Sequence, residues 1–132
     1  QRPRYERLIE QYALGDRVRL IGAFSEAERI TLYAHALAVV FPAFDEDLGY
    51  VPLEAMYAAK PVVTCSDSGG PLEFVVHEET GAIVDPSAEA LAAAIDRLAA
   101  HPDRARTMGE AGRQRILAMD LSWPRVVATL CA

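Results

Sequence analysis

Two short stretches, Leu37–Phe41 and Pro61–Thr64, are almost wholly apolar, and each runs into a loop of turn residues and then a helical segment. A strand with one wet face would alternate apolar and polar side chains. A uniformly apolar run instead suits a strand covered on both faces, as in a parallel sheet between two layers of helices. The surroundings agree. A helix is expected over Glu26–Ala36 before the first run, and a helix carrying Leu-Glu-Ala-Met follows it. A short helix over Leu72–His77 and a short strand over Ala82–Val84 follow the second. Arg17–Ile21, ended by Gly22, has the composition of a further strand. Strands alternating with helices predict an α/β fold, a Rossmann-like parallel sheet with helices on both faces. Ligands bind such sheets at the carboxyl ends of the strands, here Ile21–Ala23, Phe41–Glu46 and Thr64–Gly70.

Helix ends carry their own chemistry. A first helix, Arg2–Leu14, is expected to stop at Gly15. Ser25 and Glu28 have capping-box spacing for the next, whose apolar face is Ala27, Ile30, Tyr33 and Ala34. Asp85 followed by Pro86 predicts the start of an alanine-rich helix with Leu91, Ile95 and Leu98 as its stripe. Pro102 restarts a helix to about Met119. Ser122 caps a last one, with Trp123, Val126, Val127 and Leu130 on a common face.

Within this frame the segment FPAFDEDLGYVPLEAM concentrates the chemistry. Glu46 falls in the loop leaving the first apolar run, and Glu54 one turn inside the following helix. Between them, the amides of Gly49, Tyr50 and Val51 are the unpaired donors of a helix N-terminus, which favours a bound phosphate. Glycine allows close backbone approach, and Pro52 is tolerated in a first turn because its missing donor would be unpaired there. A side chain one turn inside a helix leans back towards the N-terminus, so Glu54 reaches a group held at that end. The arrangement suits a sugar diphosphate. The plainer alternatives are a solvated acid for Glu46 and a macrodipole-favoured charge for Glu54. Gly69 and Gly70 alone mark only a loop.

Several function classes are excluded. At 132 residues this is one domain, and a net charge of −6 with a pI near 5.0 argues against a nucleic-acid footprint. No apolar run is long enough to span a bilayer, and no signal-peptide pattern opens the sequence. Cys65 and Cys131 are far apart, Cys65 reading as a buried thiol, so a reducing, cytoplasmic location is expected. His35, His77 and His101 form no pair with metal-ligand spacing, and no metal or other cofactor is expected. Arg104, Arg106, Arg113 and Arg115 read as a solvated helix face. Peripheral membrane contact is not indicated, because the apolar half of that helix is needed for the sheet. Lys60, directly before Pro61, reads as a charge partner for a helix C-terminus.

The Glu46–Glu54 segment closely resembles the E-x₇-E motif of the family-4 retaining glycosyltransferases, which have the GT-B fold. KPVVTCSDSGGPLEFVVHEETGAIVDP is similar to the family's next stretch, RVRLIGAFSEAERITLYAHA to its preceding strand and helix, and LSWPRVVATL to its closing Ser-Trp helix. Together these cover about Arg4 to Leu130 in order. The resemblance implies a donor-nucleotide domain, with Glu46 holding the sugar and stabilising charge at the anomeric carbon and Glu54 accepting from the ribose hydroxyls. Backbone of Asp47, Leu48, Gly49, Tyr50 and Val51 would hold the diphosphate, the turn at Gly22 would lie near the base, and the Gly69–Gly70 loop would shape the sugar pocket. Leu48 stands where the family usually has an aromatic residue, and Ala59 where it commonly has glycine. The implied partner is a UDP-, GDP- or ADP-linked sugar, used without a metal.

Gln1 opens the sequence without an upstream strand or the family's phosphate-gripping Arg and Lys. The chain is therefore expected to be a piece of a larger retaining transferase whose acceptor domain precedes it, and to be inactive alone. Two alternatives stand beside this: a non-catalytic nucleotide-sugar-binding or scaffold module of the same fold, and a flavodoxin-like signalling domain. The second would place its acids after the first strand, whereas these follow an internal one.

Overall fold

The computed structural model describes residues 1–131, and the side chains of all of these except Trp123 and Val126. The expected common face that includes Trp123 and Val126 lies outside the described residues. The chain divides into two units, 1–30 and 31–132.

In the first unit, α1 spans Arg2–Gln11 and ends earlier than Gly15 would dictate. Ala13 takes the left-handed conformation (φ 50°) and donates to the Glu10 carbonyl, while Leu14 donates back to Ile9. That pairing completes a helix end with alanine where glycine is usual. Arg17–Ile21 is not a strand. An extended segment becomes one only by joining a ladder, and these residues join none among those described. The capping box forms: Glu28 accepts from the Ser25 amide and hydroxyl at 2.7 Å each, and the Glu28 amide donates to Ser25 Oγ. Those two bonds, the backbone one first, hold the Glu28 carboxyl below its usual pKa. The helix they open, α2, spans Glu26–His35 and ends in the second unit. On it Ala27, Ile30 and Ala34 are exposed and Tyr33 is half-buried, so the expected apolar face reduces to Tyr33.

The second unit holds a parallel three-stranded sheet in the order β1 (Val39–Phe41), β2 (Val62–Cys65), β3 (Gly81–Val84). Val39 pairs with Val62, and Val62 with Gly81. The helices are α3 (Tyr50–Tyr57), α4 (Pro71–Phe74), α5 (Ala88–Ala100), α6 (Pro102–Ala118) and α7 (Trp123–Leu130). Successive strand residues point to opposite faces, and two apolar clusters result. Val62, with Val39, Phe41 and Ile83 beside it, packs on Leu53, Ala55 and Met56 of α3 and on Phe74 and Ile116. Val63 and Ala82 pack on Ala94 and Leu98 of α5 and Ala105 and Met108 of α6. The central strand β2 is buried throughout, as expected, but β1 is not covered on both faces: it lies at the edge of the described sheet, with Leu37 and Val40 each 41% exposed.

Other helix ends depart from expectation in detail. α5 is capped by Ser87, whose Oγ accepts from the Ala90 amide at 3.2 Å, so Asp85–Pro86 lies outside the helix. Its buried stripe is Leu98 with Ala94, whereas Ile95 is 43% exposed. Ala59 takes φ 54°, with the Ala59 amide on Met56 O and the Lys60 amide on Ala55 O, so the turn after α3 keeps its geometry without glycine. Lys60 Nζ reaches the Ala34 carbonyl at 3.0 Å, at the C-terminal end of α2. Ser122 caps α7 as expected. Arg104, Arg106 and Arg113 are exposed as expected, Arg104 pairing with Glu78 and Arg106 with Asp103, whereas Arg115 is half-buried. Arg115 donates to the Phe74 carbonyl at 2.9 Å and the Glu73 carbonyl at 3.1 Å, pinning the end of α4.

Candidate functional site

The carboxyl ends of β1 and β2 open into two loops, and main chain joins them. The Asp45 amide donates to Asp67 O and the Glu46 amide to Ser68 O, both at 3.0 Å, and the Gly70 amide donates to Glu46 O at 2.7 Å. Glu46 and Gly69 form an isolated parallel bridge, and Asp45 takes φ 47° to make the turn. The contact explains the glycine pair. A Cβ on Gly69 (φ +73°) would lie 2.7 Å from Glu46 O, and one on Gly70 would run into the Asp47 carbonyl and lie 2.8 Å from Leu48 Cα. These are backbone atoms that no rotamer change can move.

Beneath the seam sits a buried hydroxyl network. Thr64 Oγ1 is 2.8 Å from both Phe41 O and Ser68 Oγ, and the Cys65 amide donates to Ser68 Oγ at 3.1 Å. One hydroxyl proton serves one bond, so Thr64 donates to the carbonyl and Ser68 donates to Thr64. The network ties the ends of both strands to the residue whose carbonyl holds Glu46. Replacing Ser68 by alanine strands the Cys65 amide and an acceptor of Thr64 in a site with no exposure. The expected loss is about 1–3 kcal/mol of unfolding free energy, checked by urea denaturation. An unchanged midpoint would refute it. The Cys65 thiol beside this network is pushed up in pKa by burial and then by the Asp67 charge, which leaves it a poor nucleophile.

Gly49 opens α3 at φ 79°, ψ 83°, with no side-chain cap on the first-turn amides. It is buried, and a Cβ there would meet Pro71 Cγ at 3.1 Å and the Phe41 ring at 3.4 Å. Conformation and space both demand glycine. Leu48, Tyr50 and Val51 are exposed around it, Tyr50 at 74%. Asp47 is exposed, and Glu46 and Glu54 are half-buried on either side of the helix start in sequence. Glu54 Oε2 accepts from the Tyr33 hydroxyl at 3.0 Å. Gly22 belongs to the first unit, where it is exposed at φ +77° with the Arg2 guanidinium 3.4 Å from a Cβ position.

The second unit therefore gathers Glu46, Asp47, Leu48, Gly49, Tyr50, Val51, Glu54, Gly69 and Gly70 at one end of the sheet. Sequence reasoning missed Tyr33, Thr64, Ser68 and Arg115. For Tyr33 the signal was its phenol, since a hydroxyl on an apolar helix face needs a partner. The hydroxyls of Thr64 and Ser68 at a strand end were a comparable signal.

Residues 1–115 match the family described as glycosyl transferases group 1. The chain belongs to that family. This group 1 domain is 36% identical over 111 residues to the human "Alpha-1,3/1,6-mannosyltransferase ALG2", covering 84% of the chain and 26% of the relative. It is 38% identical over 115 residues to a Mycobacterium tuberculosis "Glycogen synthase", covering 86% and 27%. Among solved structures, sucrose-phosphate synthase from Thermosynechococcus elongatus superposes with a TM-score of 0.87 at 38% identity, covering 98% of this chain and 32% of that one. Anabaena HepE in complex with UDP and glucose gives a TM-score of 0.79 at 25% identity, covering 96% and 35%. The group 1 domain thus has the fold of GT-B glycosyltransferases and spans about a third or less of the first relatives it matches. No helix among the described residues is long and apolar enough to cross a membrane.

Proposed function

We propose that this chain is the donor-binding part of a retaining glycosyltransferase that moves a sugar from a nucleotide sugar to an acceptor hydroxyl. One observation carries the proposal: Gly49, in a left-handed conformation that leaves the first-turn amides of α3 uncapped, stands between two half-buried carboxylates, Glu46 and Glu54. Uncapped amides and a helix dipole suit a diphosphate. Carboxylates suit the hydroxyls at its two ends, Glu54 taking the ribose and Glu46 the transferred sugar. That the Anabaena relative was solved with UDP and glucose supports a nucleotide-sugar ligand here.

In the proposed step the bond from the anomeric carbon to the diphosphate oxygen breaks, and its electron pair leaves with the phosphate. The acceptor oxygen bonds to the anomeric carbon on the same face, and its proton passes to the departing phosphate oxygen. Glu46 lies where positive charge develops on the sugar and stabilises it electrostatically. The α3 amides share the diphosphate charge with the Arg and Lys that the resemblance assigns to a loop not located in this sequence, so no metal is needed. The acceptor belongs to a preceding domain. Two free thiols, Cys65 and Cys131, suit the cytoplasm.

The test is ligand-observed NMR of the full-length protein with UDP-, GDP- and ADP-sugars, beside Glu54→Ala. Selective binding of one nucleotide sugar, weakened about tenfold or more in the variant, is expected from the loss of hydrogen bonds to a charged group. Silence towards all three donors would sink the transferase and leave a scaffold of the same fold.

A further inference from the structure

We propose that Tyr33 is a positioning residue for Glu54, and that through it helix α2 sets the preference of the site for nucleotides that keep their ribose hydroxyls. The inference rests on the ribose role proposed for Glu54 and goes beyond it, since that role alone asks nothing of α2.

Tyr33 and Glu54 lie on different helices, 21 residues apart in sequence, and meet in a partly buried hydrogen bond of 3.0 Å. The tyrosine ring packs against the apolar cluster that includes Leu53 and Met56, the neighbours of Glu54 along α3. Packing fixes the ring, so the hydroxyl arrives at Glu54 Oε2 from a set direction. A glutamate side chain has three rotatable bonds, and holding its carboxylate plane before ligand arrives removes part of the ordering cost of binding. A carboxylate offers about four lone-pair sites, so one bond from tyrosine does not exclude bonds from a diol. The same arrangement, a ligand-binding group oriented by a hydrogen bond from a packed neighbour, is how binding sites are commonly made rigid.

The substitution that removes this bond is Tyr33→Phe, which keeps the ring and its packing and deletes the hydroxyl that donates to Glu54. The full-length protein is titrated with UDP, GDP and ADP, and the tightest binder is compared with its 2′,3′-dideoxy counterpart. For Tyr33→Phe the ribonucleotide is expected to bind about five- to tenfold more weakly. The dideoxy nucleotide should bind as it does to the unsubstituted protein, and kcat with saturating donor should change by less than about twofold. Equal weakening of both nucleotides would show a structural role only and overturn the proposal, as would an unchanged ribonucleotide affinity. Glu54→Ala separates this failure from failure of the site itself. If Glu54→Ala erases the ribose preference and Tyr33→Phe does not, Glu54 binds ribose and Tyr33 does not position it. If Glu54→Ala leaves the preference intact, or if none of the three nucleotides binds, both assignments fall.

Discussion

Full-length protein carrying Glu46→Gln is expected to turn over about 10²- to 10³-fold more slowly than the unsubstituted enzyme, with donor affinity changed only severalfold. The amide keeps the shape and hydrogen-bonding reach of the carboxylate but removes the negative charge proposed to face the anomeric carbon. That charge matters most at the transition state, so kcat falls and the donor dissociation constant largely does not. Glu46 is anchored by its own backbone, with its amide on Ser68 O and its carbonyl on the Gly70 amide, so the substitution leaves the loop in place. Steady-state kinetics with a separately measured donor dissociation constant checks both halves. A kcat within about threefold of the original would remove Glu46 from the chemistry.

A large structural effect at the site is expected from Gly70→Ala. One methyl group is added, but it is aimed at the Asp47 carbonyl and at Leu48 Cα, and main chain cannot swing aside as a side chain can. The two loops must separate, breaking the bonds that hold Glu46. The expected cost is about 2–4 kcal/mol of unfolding free energy, at the upper end of overpacking penalties, with loss of nucleotide affinity in whatever protein still folds. Gly15→Ala is the matched control, because a Cβ there meets nothing within 4 Å, and it should shift stability by about 0.5 kcal/mol or less. Chemical denaturation of both variants measures the contrast. Equal stabilities would show that the loops tolerate separation.

The central strand was legible because it announces itself: Val62–Cys65 is buried residue by residue, as a doubly covered strand is. The equally apolar run at Val39–Phe41 forms an edge strand of the described sheet with Val40 41% exposed, so apolarity alone did not separate centre from edge. Arg17–Ile21 misled because alternation records which side chains seek cover, while a strand also needs a neighbour to accept its hydrogen bonds. The cap of the alanine-rich helix slid from Asp85 to Ser87 because two capping residues two positions apart compete, and local sequence does not rank them. At the site, Glu46, Gly49 and Glu54 could be named because residue type and short spacing carry their meaning. Tyr33 and Arg115 could not. They act across 21 and 41 residues of chain respectively, a distance over which sequence spacing says nothing about who meets whom.

The seam between the two loops is made of peptide groups, and peptide groups are common to every amino acid. Apart from the glycines that let the strands of main chain touch, and Asp45 in its left-handed turn, the residues along it, Asp47, Leu48 and Asp67, hold the seam through their main chain. Mutation can therefore redecorate the two loops while their frame stays still. On the sugar-pocket role proposed for these loops, the sugar accepted would be open to change by ordinary point substitution, one residue at a time, without first having to redesign the fold.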